Sequence, residues 1–164
     1  MRAEACLVTT LFGCATPLAA QEAQKDHAIV FELGAAAEAE RKETVNYGAT
    51  FAFEITPIEH WLELEVGATG ISAERGTEMS VDVLFKKPWQ LSPAFEFMIG
   101  IGPTMNHSAG TDGGTFWGVE GVVDLMFWLK RNVGWYIDPG YETAWHGGRR
   151  HEGLGIAMGL LIGR

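Results

Sequence analysis

The chain has 164 residues and a formal net charge of −9 at pH 7, which argues against a nucleic-acid partner. Its length suggests one domain, and its 47% hydrophobic content is ample for a core or a lipid-facing surface. No run reaches the roughly 18 to 20 apolar residues of a membrane helix, so any contact with a bilayer requires a signal sequence or a barrel.

The N-terminus is predicted to be a secretory signal peptide, residues 1–20. A positive charge at Arg2 precedes an apolar run, and Ala20 is a suitable residue at the cleavage site. Cleavage there removes Cys6 and Cys14, so we expect no disulfide or thiol chemistry in the mature chain. Lipidation of Cys14 and a cytosolic protein with an unprocessed N-terminus are the alternatives. Residues 21–26 would form a short segment before a domain at 27–164.

Eight segments of that domain alternate large apolar residues with small or acidic ones, the period-2 pattern of strands with two unlike faces. The longest segment, residues 114–130, has Trp117 and Val123 on one face, with Glu120 and Asp124 on the other and Gly121 as an exception on the apolar face. The pattern predicts strands at residues 27–34, 47–56, 61–70, 79–86, 95–105, 114–130, 135–145 and 154–163.

The connections between these strands differ in length and polarity. Those after strands one, three, five and seven are longer or more polar, whereas those after two, four and six are short. Outer-membrane barrels have an even number of antiparallel strands, long outer loops and short periplasmic turns, and closure of the sheet removes both edges. The sequence therefore predicts an all-β fold, an eight-stranded antiparallel up-and-down transmembrane β-barrel.

The apolar face of the strands is predicted to meet lipid. An eight-stranded barrel is only wide enough inside for side chains to fill it, and the many phenylalanines and tryptophans would crowd that space. Aromatic residues also gather near strand ends, as expected at the two membrane interfaces. A soluble, secreted, lipocalin-like barrel with the apolar face inside is the competing class.

Three segments, TPIEHWLELEVG, VDVLFKKPWQLSPAFEFMIGIGP and DLMFWLKRNVGWYIDPGY, resemble an uncharacterised group within the OmpA/OmpX-like superfamily of small Gram-negative outer-membrane barrels. The resemblance covers residues 27–164 and implies a monomer in the cell outer membrane, in contact with outer-membrane lipid and lipopolysaccharide. It also implies folding by the barrel-assembly machinery. The last strand departs from the family pattern, because Gly163 and Arg164 stand where such barrels usually end in Phe or Trp.

The inward parity is predicted to carry an acidic polar network with few cations, chiefly Lys86 and Lys130. The interpretation is a structural or surface-interaction protein whose lumen this network fills. The acid excess leaves a narrow cation-selective pore as an alternative. The predicted network comprises Glu32, Glu54, Glu63, Glu65, Asp82, Lys86, Glu96, Glu120, Asp124, Asp138 and Glu142.

A lipid A- or phospholipid-modifying enzyme is a further alternative. His107 and Ser108 near an outer rim suggest a His/Ser site, but adjacent strand residues point to opposite faces. Pro103 and Pro139 cannot donate to a strand ladder. This resembles the lateral gaps of the lipid A palmitoyltransferase, but a bulge or an early strand end is the favoured interpretation. We therefore assign no catalytic residue and no cofactor.

Basic residues of the predicted outer loops could bind lipopolysaccharide phosphates through bidentate contacts, or be solvated loop charges. These residues are Arg41, Lys42, Arg75, Arg149 and Arg150. Three loop histidines, His107, His146 and His151, lack a fixed metal-ligand spacing, so no metal is assigned.

Overall fold

A computed structural model of the chain describes residues 29–40, 45–73, 76–109 and 113–163. Eight antiparallel strands form a closed barrel in which each strand pairs with the next and β8 pairs with β1. This confirms the predicted fold class. The strands are β1 Ile29–Glu40, β2 Asn46–Ile58, β3 Leu62–Ala73, β4 Gly76–Ser92, β5 Phe95–Ser108, β6 Gly114–Lys130, β7 Val133–His146 and β8 Arg149–Gly163. The predicted signal peptide, the segment 21–26 and Cys14 lie outside the described residues.

Within the described ranges, no helix is long and apolar enough to cross a membrane.

Burial alternates along the strands, because successive side chains of a strand point to opposite faces of the sheet. In β4, Asp82, Leu84 and Lys86 are buried inside the barrel, whereas Val83 and Phe85 between them are exposed on its outer surface. The strands therefore form a barrel with a filled lumen and an apolar exterior.

The outer surface carries a continuous belt of exposed large apolar side chains. Phe51, Phe85, Ile101, Met158 and Leu160 are each about half exposed, at 48% to 60%. Exposed apolar patches larger than a few hundred Å² are rare on monomeric soluble proteins, so the belt is a lipid-facing surface. The soluble lipocalin-like alternative is wrong, because in such a barrel these side chains would face inward.

Aromatic side chains lie at both rims of the belt. At one end Phe127 stacks on Phe95 with ring centroids 4.7 Å apart and on Trp135 at 4.2 Å. At the other end Trp117 and Trp145 are exposed cross-strand partners. These two sets of rings lie where the sequence predicted aromatic girdles at the membrane interfaces.

The two ends of the barrel differ. The terminal end carries Ile29, Gly163 and the connections after β2, β4 and β6; the loop end carries the connections after β1, β3, β5 and β7. The loop-end connections are only partly as predicted: residues 41–45 and 109–113 link β1 to β2 and β5 to β6, but β3–β4 and β7–β8 are joined by two residues each. The predicted long loops after strands three and seven are therefore wrong.

The error has a physical cause at the β7–β8 connection. Gly147 and Gly148 have φ of 56° and 78°, the backbone of a type I′ hairpin turn that favours glycine at both positions. The polar residues after the turn, including Arg149 and Arg150, continue β8 beyond the apolar belt. They lie on a strand and not in a loop.

Several strands are also longer than predicted. Strand β1 runs through an alanine-rich stretch to Glu40, and β4 continues past Lys86 to Ser92. Strand β2 includes Pro57 and Ile58, which lie beyond its predicted end at residue 56. The extensions of β1 and β4 begin where the alternation of large apolar residues with small or acidic ones is interrupted, at the alanines after Gly34 and at Lys87 and Pro88, and the predicted strands ended at these interruptions. Register shifts between Ile55 and Ile58, and between Gln90 and Ser92, mark the irregular ends.

Pro103 and Pro139 interrupt strand pairing without changing its register. The β4–β5 ladder lacks two successive residue pairs, one of which would be Val83 with Pro103. The β6–β7 ladder also lacks two successive pairs, one of which would be Val123 with Pro139. Proline lacks the N–H that a ladder needs, which explains both gaps. The strands themselves continue through both positions.

An apolar cluster fills the lumen toward the terminal end, where the register places Met98 beyond Lys86 and Met126 beyond Asp124. Its members are almost completely buried, with Trp128 and Ala157 packed against it. We call Val30, Met98, Met126, Tyr136 and Leu161 the apolar plug.

Candidate functional site in the acidic lumen

Lys86 lies at the centre of a buried cluster of carboxylates. Its Nζ atom donates hydrogen bonds to Glu65 and, at 2.8 Å, to Asp124, and it lies 3.6 Å from Glu54 Oε2. Glu32 completes the group, since one carboxylate oxygen from each of these four acids lies within 4.8 Å of the others. One buried ammonium group thus faces four buried carboxylates.

Strand register explains why these residues meet. Glu54 of β2 is the cross-strand partner of Glu65 on β3, and Lys86 of β4 is the partner of Glu63 on the same β3. Asp124 reaches the group from β6, on the other side of the lumen. The cluster therefore depends on barrel closure as well as on neighbouring strands.

A cavity with a volume of about 100 Å³ lies on the loop-end side of Lys86 and is lined by Glu32 and Glu65 of the cluster and by five further acids. We call this cavity the acid cup. Its carboxylates belong to Glu32, Glu38, Glu65, Asp82, Glu120, Asp138 and Glu142. No lysine or arginine of the described chain lines the cup, and Lys86 lies at its edge in contact with Glu65, so acidic groups outnumber basic ones along the wall.

Glycines of neighbouring strands leave space for these carboxylates, and we call such positions glycine seats. A Cβ atom added at Gly67 would lie 2.7 Å from Asp82 Oδ2, and one added at Gly140 would lie 2.8 Å from Glu120 Oε1. The inward glycines, which the sequence suggested would suit a narrow lumen, thus make room for specific acidic side chains.

Glu142 is held by neutral donors near the loop end. The Thr104 hydroxyl and the Asn106 amide at 2.6 Å both donate to its Oε1 atom. Sequence reasoning missed Thr104 and Asn106, although both lie on the inward parity of β5. It also missed Glu38, because the predicted first strand ended at Gly34.

Some of the predicted lumen residues lie apart from the cup. Glu63 is buried in the lumen, and Glu96 is partly buried near the terminal end. Lys130 is exposed at the end of β6, so its placement in the lumen was wrong. The cause is the irregular end of β6, where the register shifts between Trp128 and Lys130.

The basic residues predicted to contact lipopolysaccharide are only partly described. Arg41, Lys42 and Arg75 lie outside the described residues. Arg149 and Arg150 are exposed at the loop end, and Arg150 is the cross-strand partner of Trp145 and pairs with Glu152 at 2.8 Å. Both arginines thus lie on the rim above the aromatic belt.

The candidate His/Ser pair lies at the end of β5. His107 is exposed and its Nδ1 atom lies 3.1 Å from the Thr115 hydroxyl, whereas Ser108 is on the opposite parity and pairs with Gly114. Of the other histidines, His146 and His151 are 6.4 Å apart between ring centroids and flank Phe116. A serine activated by its neighbouring histidine is not formed here.

A closed eight-stranded barrel with an apolar belt outside and an acidic lumen inside is the architecture of a transmembrane β-barrel protein. The structure is similar to Neisserial surface protein A (TM-score 0.64, 12% identity, 82% of this chain and 96% of the other). It is similar to the outer membrane protein OprG from Pseudomonas aeruginosa (0.61, 10%, 83% and 95%). A de novo designed transmembrane β-barrel matches comparably (0.60, 12%, 85% and 98%).

These similarities show the fold and no activity, since a designed barrel matches about as well as natural ones. No family model and no curated protein sequence matches the chain. The chain shares the fold of the small eight-stranded barrels of the Gram-negative outer membrane, as the resemblance implied. With the lipid-facing belt, this fold places the protein in the outer membrane.

Proposed function

We propose that the protein is a non-conducting barrel with a structural and surface-interaction role, and that its loop end faces the cell exterior. The observation that carries this proposal is the filling of the lumen in two layers. The Lys86 cluster is one layer, and the apolar plug beneath it is the other. A hydrated ion would have to displace both to cross the membrane, which disfavours the cation-selective pore.

Planar-bilayer recording of the purified, refolded chain tests the proposal. We expect no conductance above that of a protein-free bilayer, in potassium chloride at any applied potential that the membrane withstands. Stable, cation-selective conductance steps would contradict it and support the pore, since an acidic lumen favours cations. Heat-denatured protein added at the same concentration is the control for detergent artefacts.

The surface partner that we propose is lipopolysaccharide, bound through its phosphate groups by Arg149 and Arg150. The support is the exposure of both arginines at the loop end, where Arg150 lies opposite Trp145 and Arg149 opposite His146. Arginine can form bidentate contacts with phosphate. Added lipopolysaccharide should raise the midpoint of thermal unfolding of the wild-type barrel. Replacing both arginines with glutamine should weaken binding about tenfold.

Arg131 provides the matched control for that experiment, because it is exposed in the β6–β7 turn at the opposite end of the barrel. Arg131→Gln should leave the stabilisation by lipopolysaccharide unchanged. Equal losses in the Arg131 variant and in the double variant would mean that general charge, and not this rim, attracts the lipid.

We further propose that the protein has no lipid-modifying activity, folds through the barrel-assembly machinery and stays monomeric. The separation of His107 from Ser108 onto opposite faces supports the first point. Mass spectrometry of lipid A from cells overexpressing the protein should show no new species. Light scattering of the purified barrel should give the mass of one chain. Depletion of the barrel-assembly machinery should cause the unfolded protein to accumulate, which would show that the protein requires this machinery to fold.

A further inference from the structure

The acid cup has an entrance on the loop-end side. A second cavity of about 50 Å³ adjoins it there and shares Glu38 and Glu142 with it. At the other side the cup ends at the Lys86 cluster, and the apolar plug lies beyond. The cup is therefore a dead-end acidic recess that a small cation can enter from one side only.

Carboxylate oxygens that line the cup are buried and have no hydrogen-bond partner in the described structure. They include Asp82 Oδ2, Glu32 Oε1 and Asp138 Oδ1. Asp82 and Glu32 are only 8% and 2% exposed. A buried carboxylate oxygen without a donor is costly, and coordination to a cation is a standard way to stabilise it. These atoms are an observation independent of the excess of acidic residues.

The Lys86 cluster is not this site. Its four carboxylates are close enough to share one cation, but Lys86 Nζ already lies among them and binds two of them directly. A cation for the cup must therefore lie on the loop-end side of that cluster, nearer to Asp82 and Glu120.

The chemistry of the wall selects the class of cation. Besides carboxylates, the cup offers the hydroxyls of Thr50, Thr69 and Ser80, and none of the described residues that line it is a cysteine or a histidine. Oxygen ligands alone suit hard divalent cations such as Ca²⁺ and Mg²⁺ rather than softer transition metals. The glycine seats hold Asp82 and Glu120 back against the wall, which leaves space for water on the bound ion.

We propose that the acid cup binds one partly hydrated divalent cation from the exterior, with Asp82 and Glu120 as its principal carboxylate ligands and Glu142 at its entrance. This inference goes beyond the proposed structural role. It rests on the proposed function only for the orientation of the loop end toward the exterior, and ion binding and conductance are measured separately.

The test is calorimetric titration of the full chain, refolded in phosphatidylcholine bilayers that contain no lipopolysaccharide. Calcium chloride and magnesium chloride are titrated separately, in a background of potassium chloride. We expect saturable binding of about one ion per barrel for at least one of the two. Asp82→Asn and Glu120→Gln should each weaken binding about tenfold.

Glu59→Gln is the control, because Glu59 is exposed in the turn between β2 and β3 at the terminal end. It should bind the ion as wild type does. The absence of saturable binding to the wild type would overturn the proposal. Equal affinity of the wild type and both cup variants would also overturn it, and so would displacement of the ion by equimolar potassium. If a variant does not fold, the midpoint of thermal unfolding of the wild-type protein tests the proposal instead. Calcium or magnesium should raise this midpoint more than potassium chloride does at equal ionic strength.

Discussion

At the scale of single residues, Lys86 is the group on which the centre of the lumen depends. Its ammonium group is completely buried and contacts Glu54, Glu65 and Asp124. Desolvation makes each of these charges costly alone, so a buried cluster is stable only while its charges are paired. Removal of the cation should therefore cost more than the loss of packing from one side chain.

We expect Lys86→Met to destabilise the barrel by about 3–5 kcal/mol, the usual cost of breaking a buried ion pair from one side. Methionine keeps much of the side-chain volume but leaves the carboxylates unpaired. The free energy of unfolding in urea, measured in lipid bilayers, checks this. Lys87→Met is the control: Lys87 is the next residue and bonds the His60 carbonyl at the exposed terminal end. A similar loss in both variants would argue against the charge explanation.

A second variant separates charge from packing at the same place. In the Lys86→Met background, Asp124→Asn removes one of the unpaired carboxylate charges without changing the side-chain shape much. Residues in one ion network are coupled, so the second change should restore part of the stability that the first removes. A double variant whose destabilisation equals the sum of the two single effects would show that the two residues act independently.

Much of the lumen could be predicted from the sequence at this scale, and its internal contacts could not. The period of two along a strand suffices to put Glu120 and Asp124 on one face and Val123 on the other. It says nothing about which side chains meet across the barrel, because that depends on the stagger of all eight strands. The convergence of Glu32, Glu65 and Lys86, and the role of Gly67 as a seat, therefore required the structure.

At the scale of elements, β6 is the strand whose extent and faces were both predicted. Its bounds, Gly114–Lys130, agree with the predicted segment, and Trp117, Val119 and Val123 are exposed on the outer surface. By contrast, β8 begins five residues earlier than predicted, at Arg149. Strand ends that leave the lipid carry polar residues, so their composition resembles that of a loop.

Val123 lies within the lipid-facing belt, opposite Ile99 on β5. We expect Val123→Arg to cost about 2–4 kcal/mol of folding free energy in bilayers, the range for arginine near the bilayer midplane. Leu129→Arg is the matched control on the same face of β6, because near the interface the cost should fall to about 0–1 kcal/mol. Unfolding titrations give both values, and wild-type stability of Val123→Arg would mean that this face does not meet lipid.

The β7–β8 hairpin depends on the two glycines of its turn. Gly148 has a φ of 78°, a backbone angle that residues other than glycine and asparagine rarely adopt. We expect Gly148→Val to destabilise the barrel by about 1–2 kcal/mol, the cost of a left-handed conformation for a residue with a Cβ atom. Gly148→Asn should cost clearly less, because asparagine tolerates this conformation. Equal unfolding free energies for the two variants would show that the turn conformation is not what matters.

At the scale of the whole molecule, closure of the barrel relies on the seam between β1 and β8. Tyr136 of β7 is the cross-strand partner of Gly159, which in turn is the partner of Gly34 on β1. A Cβ atom at Gly34 would lie 2.6 Å from the Tyr136 hydroxyl, so the tyrosine side chain reaches over both glycines. One large side chain of the apolar plug thereby spans the seam where the first and last strands meet.

Two glycines on the inner face of β8 test this view of closure. A Cβ atom at Gly159 would lie 2.7 Å from the Leu33 carbonyl carbon, and only movement of the β1 backbone could relieve the clash. A Cβ atom at Gly155 meets nothing nearer than the Ala37 carbonyl oxygen at 3.9 Å. We expect Gly159→Ala to cost about 1–3 kcal/mol, as overpacking does, and Gly155→Ala to stay within about 0.5 kcal/mol of wild type. Unfolding titrations in bilayers measure both changes in free energy. The mobility shift of the unheated protein on a gel shows whether each variant forms a barrel. Since the two sites share strand, face and substitution, equal stabilities would mean that β1 and β8 are not closely packed at Gly159.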